Sequence, residues 1–214
     1  MVAGGMRERW QALKPETRQR LRETLYHDMV SEYDARFLAA YLDDLPVTFS
    51  QGFRQVLKAW AEDEEAHFQT LHRINQGLFG VSDRDLERRK PNFKPLETLF
   101  EDEFSIACLG AYDEWVTVRG YRNNLPLYNH LGAEMRAVLR RLMADEARHY
   151  AGFLAVALEC REGEARTRQV VARIRQAESG LYHQTFVLDH DDPIYGPELF
   201  DQGAANLCRQ LISS

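Results

Sequence analysis

Most of the chain consists of long stretches without Gly or Pro, and within them apolar residues return at alternating steps of three and four, the period of a helix with one dry face. The breaks fall at "DDLPV", "QGLFG", "KPNFKP" and "NNLP", where Gly and Pro interrupt helical geometry. This predicts helices near 15–43, 48–76, 95–122, 127–160 and 163–186, with no strand pattern of comparable length. Residues 77–94 make the longest connection and suit a crossover between two helical hairpins. Beyond Leu188, "DHDDPIYGPELF" is irregular and precedes a short last helix. The expectation is an all-α fold, a four-helix bundle with additional C-terminal helices. It is a single domain over 1–214, with a flexible start at 1–14 and a segment at 189–214 that packs on the bundle.

Two of the seams are interrupted. Phe53, Leu57, Trp60, Glu64, His67, Leu71, Ile74 and Leu78 form one line, and Met135, Leu139, Leu142, Glu146, His149, Phe153 and Val156 form another. In each, a Glu and a His three places later stand where the core should be. A shift of 82 residues carries Phe53, Leu57, Asp63, Glu64, His67 and Leu71 onto Met135, Leu139, Asp145, Glu146, His149 and Phe153, so the chain holds an internal repeat. The same shift carries Glu32 onto Glu114, and each lies 32 residues before the Glu of its own pair. Glu32 falls in a seam with Leu25, Met29 and Ala39; Glu114 falls with Phe104, Ala107, Ala111, Val118 and Tyr121. Four helices thus each aim a carboxylate inward.

Four buried carboxylates and two imidazoles repel one another or stay protonated unless cations neutralise them. Glu, Glu-x-x-His, Glu, Glu-x-x-His from four helices is the ligand set of carboxylate-bridged dinuclear bundles. Mixed oxygen and imidazole donors suit iron, with manganese as the alternative, better than a thiolate-bound structural zinc. The expected ligands are Glu32, Glu64, His67, Glu114, Glu146 and His149, holding two iron ions. Asp63 and Asp145 each precede a ligand Glu, and each is expected to orient the His of the opposite helix, because a bound imidazole donates its other N–H to a fixed acceptor. His27, His72 and His130 lack such context and read as surface or partly buried residues.

Composition narrows the class. A net charge of −6 disfavours generic nucleic-acid binding, and no window offers the apolar length of a membrane span. The first residues carry no secretory signal pattern, so a cytoplasmic location is expected. Cys108, Cys160 and Cys208 are too far apart for a thiolate site and read as small buried hydrophobes. No nucleotide-binding Gly motif or Cys cluster is present, so reducing equivalents for any redox reaction come from a partner.

The sequence resembles the soluble acyl-carrier-protein desaturases, a ferritin-like diiron family, through "DMVSE" (28–32), "RQVLKAWAEDEEAH" (54–67), "EWVT" (114–117), "ADEARH" (144–149) and the tail "SGLYHQTFVLDHDDPIYGPELFDQGAANL". The likeness covers most of 25–208 and implies a ferritin-like bundle with the same six ligands. It further implies Trp60 as the tryptophan four before a ligand Glu, and Thr117 as a threonine beside the oxygen-binding face. Trp60 and Tyr121 are candidate electron carriers as well as ordinary core residues, and Thr117 is a candidate to bond an oxygen intermediate or relay protons. Thr117 has no counterpart in the first half, where the shifted position is Ala35. Ala107, Gly110 and Ala111 are expected to leave room for a chain. The implied activity is oxygen-dependent desaturation or hydroxylation of a fatty acyl thioester, with ferredoxin or a similar electron donor and a homodimeric assembly. The first interligand spacing is shorter than in the plant-type enzymes, which leaves carrier docking and chain length open. Other diiron oxygenases, of N-oxygenase or aldehyde-deformylating type, share the ligands; a ferritin-type iron-binding protein and a metal-free interaction bundle are the remaining readings.

Overall fold

In the computed structural model, which describes residues 4–213 and only the backbone of Asp85, every regular element is helical. The helices are α1 (Gly4–Ala12), α2 (Pro15–Asp44), α3 (Gln51–Phe79), α4 (Glu103–Tyr128), α5 (Ala133–Cys160), α6 (Glu164–Ala177) and α7 (Pro197–Ile212). Their ends follow local chemistry. Pro15 opens α2, where its missing N–H has no partner to lose. Ser50 Oγ accepts from the Phe53 N–H at the head of α3, and Asp102 Oδ1 accepts from the Ser105 N–H at the head of α4. Gly80 closes α3 at φ 72°, a conformation that costs residues with a Cβ.

Helices α2 to α5 make the bundle as two hairpins, α2 with α3 and α4 with α5, joined by α3 against α5. The connection from 80 to 102 travels along it. Leu86 is buried in the cluster that holds the early part of α2, Arg89 pairs with Asp34 at mid-height, and Phe93 stacks on Tyr41 near the far end. Helix α4 therefore starts at the end where α3 started and runs parallel to it. Helices α6 and α7 pack on each other and on α4, and α1 lies against the bundle through buried Met6 and a Trp10–Phe79 edge contact.

Three boundaries differ from the periodicity reading. Residues 94–99 form a 3-10 turn, and α4 begins only after its Asp102 cap. The "NNLP" break lies inside α4: Pro126 sits in the last turn, and the stop comes at Gly132, φ 93°. Glu114 is consequently as far before Tyr128 as Glu146 is after Gly132, so the two stand at one height. Helix α6 ends at Ala177 rather than 186, because the chain turns at Gly180 (φ 66°) into a strap over 178–196.

The core is divided by a polar layer. One apolar cluster takes α2 from Ala35, α3 up to Trp60, α4 up to Val116 and α5 from Phe153; the other takes α2 up to Val30, α3 from Phe68, α4 from Tyr121 and α5 up to Leu142. Glu32, Glu64, His67, Glu114, Glu146 and His149 lie where the helices pass from one cluster to the other.

Candidate metal centre

All six of these side chains are buried, from 1% to 5% exposed. The helical step of three puts Glu64 and His67 on one face of α3, and Glu146 and His149 on one face of α5. His67 Nδ1 lies 3.6 Å from Glu32, 3.7 Å from Glu64 and 3.3 Å from Glu146. His149 Nδ1 lies 3.1 Å from Glu64, 3.7 Å from Glu114 and 2.9 Å from Glu146. Glu64 and Glu146 each turn one oxygen toward each imidazole, whereas Glu32 approaches only His67 and Glu114 only His149. Candidate ligand atoms gather into two groups, Glu64–Glu114–Glu146–His149 and Glu32–His67–Glu146, each within 4.8 Å. Glu146 belongs to both.

The Nε2 atoms face outward. His67 Nε2 lies 3.2 Å from Asp145 and His149 Nε2 lies 3.1 Å from Asp63, so each aspartate holds the imidazole of the other helix. Arg148 reaches both aspartates and ties the two pairs together. Trp60 Nε1 donates to Glu114 Oε1 at 2.7 Å, and Tyr121 Oη donates to Glu32 Oε1 at 3.0 Å. The two non-shared carboxylates thus each have an aromatic donor.

Protein groups alone leave this layer unsatisfied. Both oxygens of Glu64, one oxygen each of Glu32 and Glu146, and Nδ1 of His67 are buried with no hydrogen-bond partner. Burial, reinforced by the charges of Glu32 and Glu146, drives Glu64 well above the carboxylate range, and burial pushes Glu146 up to about 8 against the opposing pull of His67. Burial would also raise Glu32, but contact with Glu64 and His67 outweighs it and holds Glu32 low. Burial would lower both imidazoles; the surrounding carboxylates reverse this and hold each protonated far above neutrality. Protons on these groups offset the clustered negative charge, and the inward donor atoms are of the kinds that hold a metal ion. A buried Glu/His group here has the composition to hold metal.

Two small cavities touch the layer. One, of about 20 Å³, is walled by Leu38, Leu57, Leu109, Phe153 and Phe186, with Trp60 and Glu114 at its edge. The other, of about 30 Å³, is polar and takes in Thr117, Tyr121, Asp28, Glu32 and Glu146. Thr117 therefore faces the polar side. Ala107 and Ala111 are fully packed, and a Cβ on Gly110 would meet the Phe153 ring at 2.8 Å, so that notch is filled by Phe153.

Periodicity could not show the second row of groups. Asp113, next to Glu114, accepts from the Leu188 N–H at 2.7 Å and lies 3.8 Å from His190, which bonds Glu178 at 2.6 Å. Burial lifts Asp113 to about 8. The strap that supplies His190 carries three left-handed residues, Gln184 (φ 57°), Phe186 (φ 71°) and Leu188 (φ 57°). Such conformations cost roughly 1–3 kcal/mol each. The Asp189 carboxylate holds them by accepting from the N–H groups of His183, Thr185 and Phe186. "VLDHDDP" offers acids and a His as a sequence signal, but their partners outside the strap lie on α2 and α4. Of the other histidines, His72 is buried against Asp83, while His27 is half-buried and paired with Asp191. Cys108 is buried; Cys160 and Cys208 are only half-buried, and all three are free.

No family model matches the sequence, and no curated protein or solved structure matches it.

Proposed function

We propose that this chain is an oxygen-dependent diiron oxidoreductase acting on an elongated apolar substrate, with a fatty acyl thioester as the leading candidate and desaturation or hydroxylation as the reaction. The observation that carries the reading is the symmetric layer: two imidazoles, each pinned by an aspartate of the opposite helix, and two carboxylates turned to both imidazoles, with orphaned oxygens in a dry core. Glu32, Glu64, His67, Glu114, Glu146 and His149 would hold two ferrous ions, with manganese as the alternative. When bound, they supply the electrons and Lewis acidity to activate dioxygen for attack on an unactivated C–H bond.

The chain's own groups position and insulate. Asp63 and Asp145 hold each imidazole with Nε2 outward and Nδ1 inward. Trp60 and Tyr121 fix the two unshared carboxylates. Leu57, Leu109 and Phe153 exclude water on the side where an apolar chain would lie, and Thr117 on the polar side is placed to hold or pass a proton. A cavity of about 20 Å³ admits one water-sized group, so an acyl chain requires displacement of its walls. Phe186 and Val187 of the strap are the wall outside the bundle. Desaturation removes two hydrogens and reduces dioxygen to two waters, which takes two further electrons and two protons. An external donor of ferredoxin type would supply the electrons, and the assembly would be a homodimer.

The test is anaerobic ferrous loading, then exposure to oxygen and a reductant with acyl thioesters of several lengths, read by mass spectrometry. Loss of two hydrogens marks desaturation, and gain of one oxygen marks hydroxylation. Loaded protein that consumes oxygen without altering any acyl substrate removes the substrate assignment and favours the N-oxygenase or deformylating readings. Protein that retains no metal removes the whole reading, and a large hollow particle would favour iron storage.

A further inference from the structure

A layer buried this deeply must be reached by what it binds, and its surroundings differ by direction. The apolar cavity has no polar group apart from Asp113, Glu114 and the Trp60 indole, so an ion crossing it would lose its water without replacement ligands. Between α3 and α5 the imidazoles are backed by Asp63 and Asp145, and the Arg148 guanidinium across both repels cations. The polar cavity is different. Glu32 and Glu146, each with a buried unpartnered oxygen, close its inner end, Asp28, Ser31 and Asp189 line it, and His27 bounds it outside. On the far side of His27 lies a surface vestibule of about 230 Å³ between α2 and the strap, walled by Glu23, Asp191 and Asp192, with Arg20 and His27 the basic groups in its wall. Arg20 is occupied by Asp192 at 3.0 Å. His27 is the wall common to both spaces; its Nε2 lies 2.6 Å from Asp191 and its side chain is 20% exposed.

We propose that divalent cations reach the centre through this passage, drawn to the vestibule by Glu23 and Asp191, admitted by a swing of the His27 ring, and handed past Asp28 to Glu32. The proposal rests on the reading of the layer as a divalent-metal centre. Each stage offers an oxygen ligand in place of a shed water, which a hard divalent cation requires. A mouth in which acids outnumber bases also concentrates the ion and makes capture depend on ionic strength.

The probe is cobalt(II) alone, added to metal-free full-length protein and followed by its visible absorption in a stopped-flow instrument. Glu23→Lys, which leaves the His27–Asp191 contact in place, is expected to slow uptake about tenfold at low salt and to flatten its salt dependence. Ser31→Phe, which plugs the passage, slows uptake at all salt concentrations, whereas His27→Ala speeds it. Final cobalt content and spectrum stay those of the parent in the charge variant, whose position is exposed and outside the layer. Uptake at the parent rate and parent salt dependence in the charge variant overturns the passage while leaving the metal reading intact. A parent protein that binds no cobalt overturns both.

Discussion

Asp63 and Asp145 show how little a residue's identity says before its neighbours are known. On a helix surface either would be a solvated acid; here each meets the Nε2 of an imidazole from the facing helix and shares Arg148 with the other. If they orient metal-bearing imidazoles, Asp63→Asn and Asp145→Asn should each weaken divalent-metal binding by about 10- to 100-fold with the fold retained, because outer partners of a ligating His contribute on that scale. Cobalt titration against a chelator, with circular dichroism as the fold control, measures it, and an unchanged affinity would remove the orienting role. Trp60 and Tyr121 teach the converse. Seam positions mark them as core, and they are core, yet each also gives its one polar hydrogen to a buried carboxylate.

At the scale of the helices, the decisive element is the α4–α5 turn. A break at "NNLP" would set Glu114 and Glu146 at different heights; the backbone instead continues through Pro126 and stops at Gly132, which brings them level. Helix starts should be measurable one at a time. Ser50→Ala and Asp102→Ala each remove an acceptor from a first-turn N–H and should lower stability by about 1 kcal/mol, read as a lower urea midpoint with unchanged slope. The close approach of α4 and α5 is tested by Gly110→Ala. Its Cβ would press on the Phe153 ring, and overpacking of this kind costs about 1–3 kcal/mol. A neutral result would mean that the ring yields into the neighbouring apolar cavity.

For the whole molecule the strongest expectation concerns pH. In the metal-free protein Glu64 and Glu146 have folded-state pKa values raised above their unfolded ones, so the unfolded chain ionises first and stability falls as pH climbs from about 4.5. For Glu146 that fall continues to about 8. His67 and His149 are raised as well; their contribution is complete below the unfolded value of about 6.5 and is lost as pH rises toward their folded values. Asp28, raised to about 7, and Asp113, raised to about 8, both by burial, act in the same direction. Glu32, held low, opposes them only on the acid side, where its contribution is lost as pH falls through its folded value. Melting temperature without metal should therefore decline from pH 5 to pH 8. Saturating divalent cation should raise it at pH 8 by mass action and flatten the decline, since the cations replace the protons. Parallel melting curves with and without metal across that range would count against the layer as a cation site.

The order of apolar and polar positions was enough to predict an all-helical bundle, the repeat between its halves and the six inward side chains, because a helical period records which face is buried and a carboxylate on that face stands out against its apolar neighbours. It also placed Asp63 and Asp145 beside the layer. It did not contain the true ends of α4 and α6, since Pro126 and Gly180 act through backbone geometry that packing selects. Nor did it contain the Asp113–His190–Glu178 row, the left-handed strap or the two spaces that meet at His27. These arise between elements far apart in the chain, where nothing local fixes the distance between two side chains. Period tells which way a residue points along its own helix; only the folded bundle decides what it meets there.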